Sequence, residues 1–291
     1  MITIISVHIN EPRFIEYQKK LLDKFIIGDF EFIVFDDSGN KYNHVAKNIG
    51  SQSQDITEDI ISICKELGIK RIEVPMDVHD TPSTVHVKRS HRVDDPAGWC
   101  ANSIQFAVNY CRDNFKSESD IILNIDSDMF PIREIDMIKF IGGHQLAGVH
   151  QVRSNGEIEI NYLWNGIFCF YPSSIEWDLF NWDLIQESPN CDVGGEMYKY
   201  LIKNPTYKKI VHLRSMGWNM LTDCVSQFIN TDNKMIEFIN NDPRNVEGNA
   251  FSEIYQPGFL HYRAGGNWDM YGSHDSRKEL LFTSMDKLIK E

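Results

Sequence analysis

Apolar residues in the front of the chain fall into short solid blocks separated by stretches of helical spacing. Ile2 to Val7 (Ile-Thr-Ile-Ile-Ser-Val) reads as a buried strand. From Glu11 to Phe25 the apolar positions Phe14, Ile15, Leu21, Leu22 and Phe25 recur at threes and fours, which predicts a helix. Phe30 to Phe35 is a second strand, ending in the turn signal Asp36-Asp37-Ser38-Gly39-Asn40. Ile56 to Leu67 is an amphipathic helix and Ile72 to Val74 a short strand. Asp95-Pro96 opens a further helix, with Asp as cap and Pro in the first turn, that carries Ala101, Ile104, Ala107, Val108 and Cys111. Ile121 to Ile125 is then a strand that stops at Asp126-Ser127-Asp128. This βαβαβαβ order implies a mainly parallel sheet flanked by helices, an α/β protein.

The pattern changes behind residue 130. Ala147 to Val152, Ile158 to Ile160 and Gly166 to Tyr171 read as strands with short links, Gly194 to Lys203 as a helix, and the end as loop-rich with a final helix from Ser276. No linker or repeat interrupts the chain, so residues 1–291 are expected to form a single domain.

Composition narrows the possibilities. The 291 residues are 42% hydrophobic and 24% charged, a globular balance. A net charge of −13 argues against nucleic acid as a partner, because phosphate backbones need clustered Lys and Arg. A nucleotide held through a metal ion stays compatible with that charge. The six cysteines, at 64, 100, 111, 169, 191 and 224, form no Cys-x-x-Cys pair, which points to reduced thiols and a cytoplasmic setting. The N-terminus starts directly in a strand and lacks the pattern of a signal peptide. No apolar run approaches the ~18 residues of a transmembrane segment, and peripheral membrane contact is left open.

The candidate chemistry begins at the end of the fourth strand. Side chains two apart on extended backbone point the same way, so Asp126 and Asp128 can aim at one point beyond the strand end, where open α/β sheets bind ligands. Two hard oxygen ligands there suit Mg²⁺ or Mn²⁺ together with phosphate oxygens. Four further clusters accompany the pair. Asp36-Asp37 can accept hydrogen bonds from a base N–H, or simply form an Asx turn. Trp164-Asn165-Gly166, opening the strand Ile167 to Tyr171, offers an aromatic face for a sugar and a glycine for close approach, or else a bulge with a buried Trp. Asn190 to Glu196 precedes a helix, where Asp192 is either a general base for an acceptor hydroxyl or a helix cap. Glu196, one helical turn on, is the reserve base. Phe259 to Trp268 gathers His261, Arg263, Gly265, Gly266 and Trp268 in a late loop, with His261 a candidate metal ligand and Arg263 a candidate phosphate contact. Other histidines, His79 and His144 among them, read as surface or loop residues.

Taken together, these residues resemble a glycosyltransferase of the GT-A fold, most strongly over residues 2–130. Ile4 to Asn10 resembles the first strand of family-2 enzymes, which assigns Val7 and Asn10 to the nucleotide site. Asp36-Asp37-Ser38 resembles their Asp-Asp-x-Ser turn, which implies that Asp37 binds the base. Asp126-Ser127-Asp128 matches the Asp-x-Asp motif, implying that Asp126 contacts ribose and assists the metal while Asp128 binds it. His261 is placed like the late metal-binding His of many such enzymes. Gly98-Trp99 stands where family-2 enzymes often carry a basic residue. The back half also resembles family-8 retaining enzymes: Asn165-Gly166 is similar to their Asn-Ala-Gly segment, and His261, Gly265 and Trp268 to their late His-x-x-Gly-x-x-Lys-Pro-Trp, without the Lys-Pro.

The resemblance implies a single domain with a nucleotide-sugar half at 1–130 and an acceptor half at 131–291. Its expected activity is transfer of a sugar from a nucleoside-diphosphate sugar, UDP by default, to a hydroxyl of a glycan or other acceptor. Mn²⁺ or Mg²⁺ would be held by Asp126, Asp128 and His261, Asp192 would serve as base for an inverting reaction, and Trp164, Asn165, Gly166, Arg263 and Trp268 would line the donor and acceptor sites. Three alternatives compete: a retaining family-8-like enzyme, a haloacid-dehalogenase-type phosphatase, and a non-catalytic carbohydrate-binding protein. The phosphatase motif usually has Thr or Val two residues beyond its second Asp, where Phe130 stands here.

Overall fold

A computed structural model describes residues 1–9, 11–39, 56–80, 96–185, 189–214, 253–262 and 274–291. Its strands are β1 (Ile2–His8), β2 (Phe30–Asp36), β3 (Lys70–Glu73), β4 (Ile121–Ile125), β5 (Met129–Pro131), β6 (Leu146–Ser154), β7 (Glu159–Phe170), β8 (Lys208–Lys209), β9 (His212–Arg214), β10 (Glu253–Tyr255) and β11 (Phe259–His261). The helices are α1 (Pro12–Phe25), α2 (Thr57–Glu66), α3 (Asp77–Asp80), α4 (Pro96–Asn114), α5 (Met137–Ile141), α6 (Met197–Lys203) and α7 (His274–Lys290). The chain divides into two compact units: Met1–Ile9 with Asp29–Asp126 and Ile141–Ile210, and Asn10–Gly28 with Ser127–Phe140 and Val211–Glu291.

The first unit is built on a seven-stranded sheet in the order β3-β2-β1-β4-β7-β6-β8. β3, β2, β1 and β4 run parallel, whereas β7 is antiparallel to both β4 and β6. The expected mainly parallel, mixed α/β sheet is therefore present. Its parallel strands are solid apolar blocks because both faces are covered, and every residue of β1 and β4 is buried. Ile104, Ala107, Val108 and Cys111 of α4 pack with Ile5, Val7, Ile33, Phe35, Ile122, Phe168 and Phe170, joined by Met197, Tyr200 and Leu201 of α6. α2 buries Ile60 and Cys64.

Two of the strands expected in the back half are one. Ile158–Ile160 and Gly166–Tyr171 fuse into the twelve-residue β7, and Trp164-Asn165-Gly166, expected to open a strand, lies within it. The register of β6 against β7 shifts between Gly148 and Val149, whose partners are Phe168 and Trp164. The intervening Asn165, Gly166 and Ile167 bulge without breaking the strand.

The second unit holds the antiparallel sheet β5-β11-β10-β9. α1 and α7 join it through a core of Phe14, Tyr17, Leu21, Phe130, Ile132, Ile254, Leu260, Tyr262, Leu281, Phe282, Met285 and Leu288. Pro12 occupies the first turn of α1 and the Glu11 carboxylate accepts from the Arg13 N–H at 3.3 Å, so the helix starts where its sequence allows. The buried Gln18 amide donates to the Met129 carbonyl at 2.9 Å and satisfies a backbone acceptor of β5. Arg13 and Lys278 bond Glu279 and Glu11 across the α1–α7 pair. The sequence predicts both helices but a loop-rich stretch where β9, β10 and β11 run, because strands of three residues are too short to show a period of two.

Among the described residues, five cysteines (64, 100, 111, 169 and 191) are free of disulfides. Among the same residues, no helix is long and apolar enough to cross a membrane.

Candidate active site

In the second unit, strand register brings a histidine to an aspartate. β11 pairs antiparallel with β5, matching His261 to Met129, and the Tyr262 N–H donates to the Asp128 carbonyl at 2.8 Å. The two side chains meet, with His261 Nε2 3.0 Å from Asp128 Oδ1 and both residues buried. His261 thus ends a strand rather than lying in the expected loop. On its other edge β11 pairs with β10, where Glu253 is the direct partner of His261. Glu253 Oε2 lies 3.4 Å from His261 Nδ1, and the Tyr255 hydroxyl donates to the same oxygen. Burial opposes a charged imidazolium here, but the flanking Asp128 and Glu253 carboxylates outweigh it and hold the His261 pKa at about 10.

Asp126 is separated from Asp128 by one residue, so chain connectivity keeps it at this place. Its N–H donates to the Gly166 carbonyl at 2.8 Å. Asp126, Asp128 and His261 each offer one ligand atom, all within 4.8 Å of one another. Two carboxylates and an imidazole nitrogen are donors that Mn²⁺ accepts well and Mg²⁺ accepts through the oxygens. The contact of His261 Nδ1 with a carboxylate is the arrangement that leaves Nε2 for a metal. The residues present therefore fit a divalent cation.

In the first unit, sequence-predicted Asp37, Asp126, Asn165 and Asp192 all bear on Cys100. Asp37 follows β2, and its N–H donates to the His8 carbonyl at the end of β1 at 2.9 Å. Its carboxylate, 3% exposed, takes His79 Nε2 on one oxygen at 2.7 Å and the Ser103 hydroxyl on the other at 2.5 Å. Burial raises the Asp37 pKa, and His79 and Ser103 partly offset the rise. His79, expected at the surface, is buried on α3 with its ring stacked on Trp99 at 3.7 Å. The neighbouring Asp36 closes its own Asx turn onto Ser38 and pairs with Arg71 at 2.6 Å. The thiol of Cys100 on α4 is pushed well above its ordinary pKa by burial and by the negative charges of Asp126, Asp192 and Asp37. The charges of three acids from distant parts of the sequence thus bear on one thiol, which also accepts from the Asn165 amide at 3.5 Å.

The bulge of β7 explains Asn165 and Gly166. It turns the Asn165 carbonyl toward the buried Asn124 amide at 2.8 Å and the Gly166 carbonyl toward the Asp126 N–H. The Trp164 ring lies across Gly166, where a Cβ would come within 2.0 Å of the indole. The segment is thus a bulge whose Trp164 is partly buried, with its indole over the glycine. Asp192 is exposed and does not cap α6, whose cap position is Glu196. Instead Asp192 Oδ1 accepts from the Val193 N–H and its carbonyl from the Gly195 N–H, each at 2.8 Å. Glu196 is buried and paired with Lys199 at 2.5 Å. Val7 is buried inside β1, facing the core. Asn10, Arg263 and Trp268 lie outside the described residues.

Sequence reasoning passed over Glu253, Tyr255, His79, Ser103 and Cys100. Glu253 and Tyr255 had a signal in Glu-Ile-Tyr-Gln-Pro-Gly-Phe-Leu-His (253–261), two short alternating runs around a Pro-Gly turn. His79 had none, since a four-residue helix carries no visible period.

No protein-family model matches the chain, and no curated protein sequence matches it. Among solved structures, the glycosyltransferase GlyE of Streptococcus pneumoniae TIGR4 overlaps it with a TM-score of 0.42 at 13% identity, covering 99% of this chain and 62% of its own. Glucosyl-3-phosphoglycerate synthase of Mycobacterium tuberculosis, solved with Mn²⁺, UDP and glucosyl-3-phosphoglycerate, overlaps with a TM-score of 0.36 at 13% identity, over 70% of this chain and 65% of its own. The bifunctional glycosyltransferase WbbM overlaps with a TM-score of 0.33 at 11% identity, over 59% of this chain and 31% of its own. The chain spans less than two thirds of the length of each.

Proposed function

We propose that this chain is a metal-dependent glycosyltransferase of the GT-A type. In this reading it moves a sugar from a nucleoside-diphosphate donor, UDP-linked by default, to a hydroxyl of a glycan or other acceptor with inversion. Within one catalytic domain, residues 1–130 would serve the nucleotide sugar and residues 131–291 the acceptor. The observation that carries the reading is the convergence of Asp126, Asp128 and His261 within 4.8 Å immediately beyond β4. That position lies outside the carboxyl end of a parallel strand, beside β1, where the strand order reverses and α/β sheets hold their ligands.

Breaking an anomeric C–O bond leaves a nucleoside diphosphate whose growing charge has to be met. Asp126, Asp128 and His261 would hold a divalent ion, which would supply that neutralisation as a Lewis acid. The protein's own groups do the rest. Asp37 sets the base subsite by anchoring His79 and Ser103, and Val7 and Asn10 belong to the same nucleotide site. Trp164, Asn165 and Gly166, with Arg263 and Trp268, contact donor and acceptor. Exposed Asp192 takes the proton from the acceptor hydroxyl, and buried, Lys199-paired Glu196 is the reserve. The five free cysteines among the described residues suit a reducing, cytoplasmic setting.

A panel of uridine, guanosine and adenosine diphosphate sugars, run with Mn²⁺, Mg²⁺ or EDTA, tests the proposal. One donor is expected to be transferred or slowly hydrolysed only when metal is present. Hydrolysis of a phosphate monoester with every donor left intact would contradict it in favour of a phosphatase.

A further inference from the structure

We infer that Glu253 and Tyr255 are positioning residues for the cation site: Glu253 holds the His261 imidazole by Nδ1 so that Nε2 faces the aspartates, and Tyr255 holds Glu253. The inference rests on the metal reading above. Glu253 and His261 are direct partners across the antiparallel pair β10–β11, so their side chains share one face of the sheet. Tyr255, two residues beyond Glu253, shares that face as well. Its hydroxyl donates to Oε2, the same carboxylate oxygen that lies 3.4 Å from His261 Nδ1. Its ring packs edge-on against His261 at 5.9 Å and stacks on His212 at 5.2 Å.

A buried carboxylate is costly unless hydrogen-bonded. Glu253 is 4% exposed, on the face of β10 opposite the apolar Ile254 and Leu260. Its place there is explained by what it does for its neighbour. With Nδ1–H given to a carboxylate, an imidazole keeps its Nε2 lone pair for a cation, becomes a better ligand, and loses the freedom to rotate. A flipped ring would exchange Nδ1 with Cδ2 and Nε2 with Cε1, losing the bond to Glu253 and moving the ligand nitrogen away from Asp128.

Mn²⁺ affinity, followed by the electron paramagnetic resonance signal of the free ion, tests this in the wild type, Glu253→Gln and Tyr255→Phe. Melting temperatures in EDTA are recorded alongside. The wild type is expected to bind Mn²⁺, Glu253→Gln to bind it about 10–100-fold more weakly, and Tyr255→Phe to be weakened in the same direction by a smaller factor. A purely structural role would lower the EDTA melting temperature and leave the affinity of the folded protein alone. Affinity of Glu253→Gln within about twofold of wild type, against that expected loss, overturns the inference while leaving the metal site standing. If Glu253→Gln fails to fold, unchanged affinity in Tyr255→Phe, which keeps the ring and its stacking, overturns it instead. Absence of Mn²⁺ binding in the wild type overturns both readings together.

Discussion

Asp192 differs from the other acids of the site in being exposed, with only its Oδ1 engaged by the Val193 N–H among the bonds described. Asp37 is enclosed by His79 and Ser103, and Asp128 is turned to His261. A proton acceptor has to reach an incoming hydroxyl, which favours the exposed carboxylate over the buried ones. Asp192→Asn keeps the shape and the bond to Val193, and is expected to lower kcat by roughly 10²–10⁴-fold with donor binding nearly intact. Steady-state kinetics together with donor titration checks this, and normal turnover would remove Asp192 from the role. At this scale the sequence was informative where a motif has a short span. Asp126 and Asp128 are legible because two residues on a strand determine direction. Glu253, Ser103 and His79 were not, because their roles depend on partners 8 to 66 positions away that only the strand register and helix packing reveal.

Among the elements, β7 does the most for the site. Its bulge offers the Asn165 and Gly166 carbonyls to Asn124 and Asp126 and lays Trp164 over Gly166. The turn before α6 is fitted against the same strand. Gly194 has φ +92°, and a Cβ there would sit 2.0 Å from the Leu163 carbonyl oxygen. Gly194→Ala therefore meets both backbone strain and a clash with main chain that cannot move aside, a loss of roughly 1–3 kcal/mol or more. The melting temperature is expected to fall by about 2–4 °C for each kcal/mol, with Asp192 displaced as well. A thermal melt of wild type and variant decides the matter, and an unchanged midpoint would show that the turn has another conformation. The parallel front strands were readable as elements because burial on both faces leaves solid apolar runs. β7 was read as two strands because Trp-Asn-Gly looks like punctuation when the strand tolerates it as a bulge. The β5-β11-β10-β9 sheet was missed because each of its strands is three residues long.

The whole chain carries a net charge of −13, which repels a diphosphate at long range. Binding of such a ligand therefore has to depend on local positive charge, and the Asp126–Asp128–His261 grouping is where a cation provides it. The most direct test is a thermal-shift panel of nucleoside diphosphates with Mn²⁺ and with EDTA, on the wild type and on Asp128→Ala. One nucleotide at about a hundred times its Kd is expected to stabilise the wild type by about 2.7 kcal/mol, a rise of roughly 5–10 °C at 2–4 °C per kcal/mol. The rise should appear only with Mn²⁺ and be absent in Asp128→Ala. An equal rise in EDTA, or in Asp128→Ala with Mn²⁺, would contradict the account.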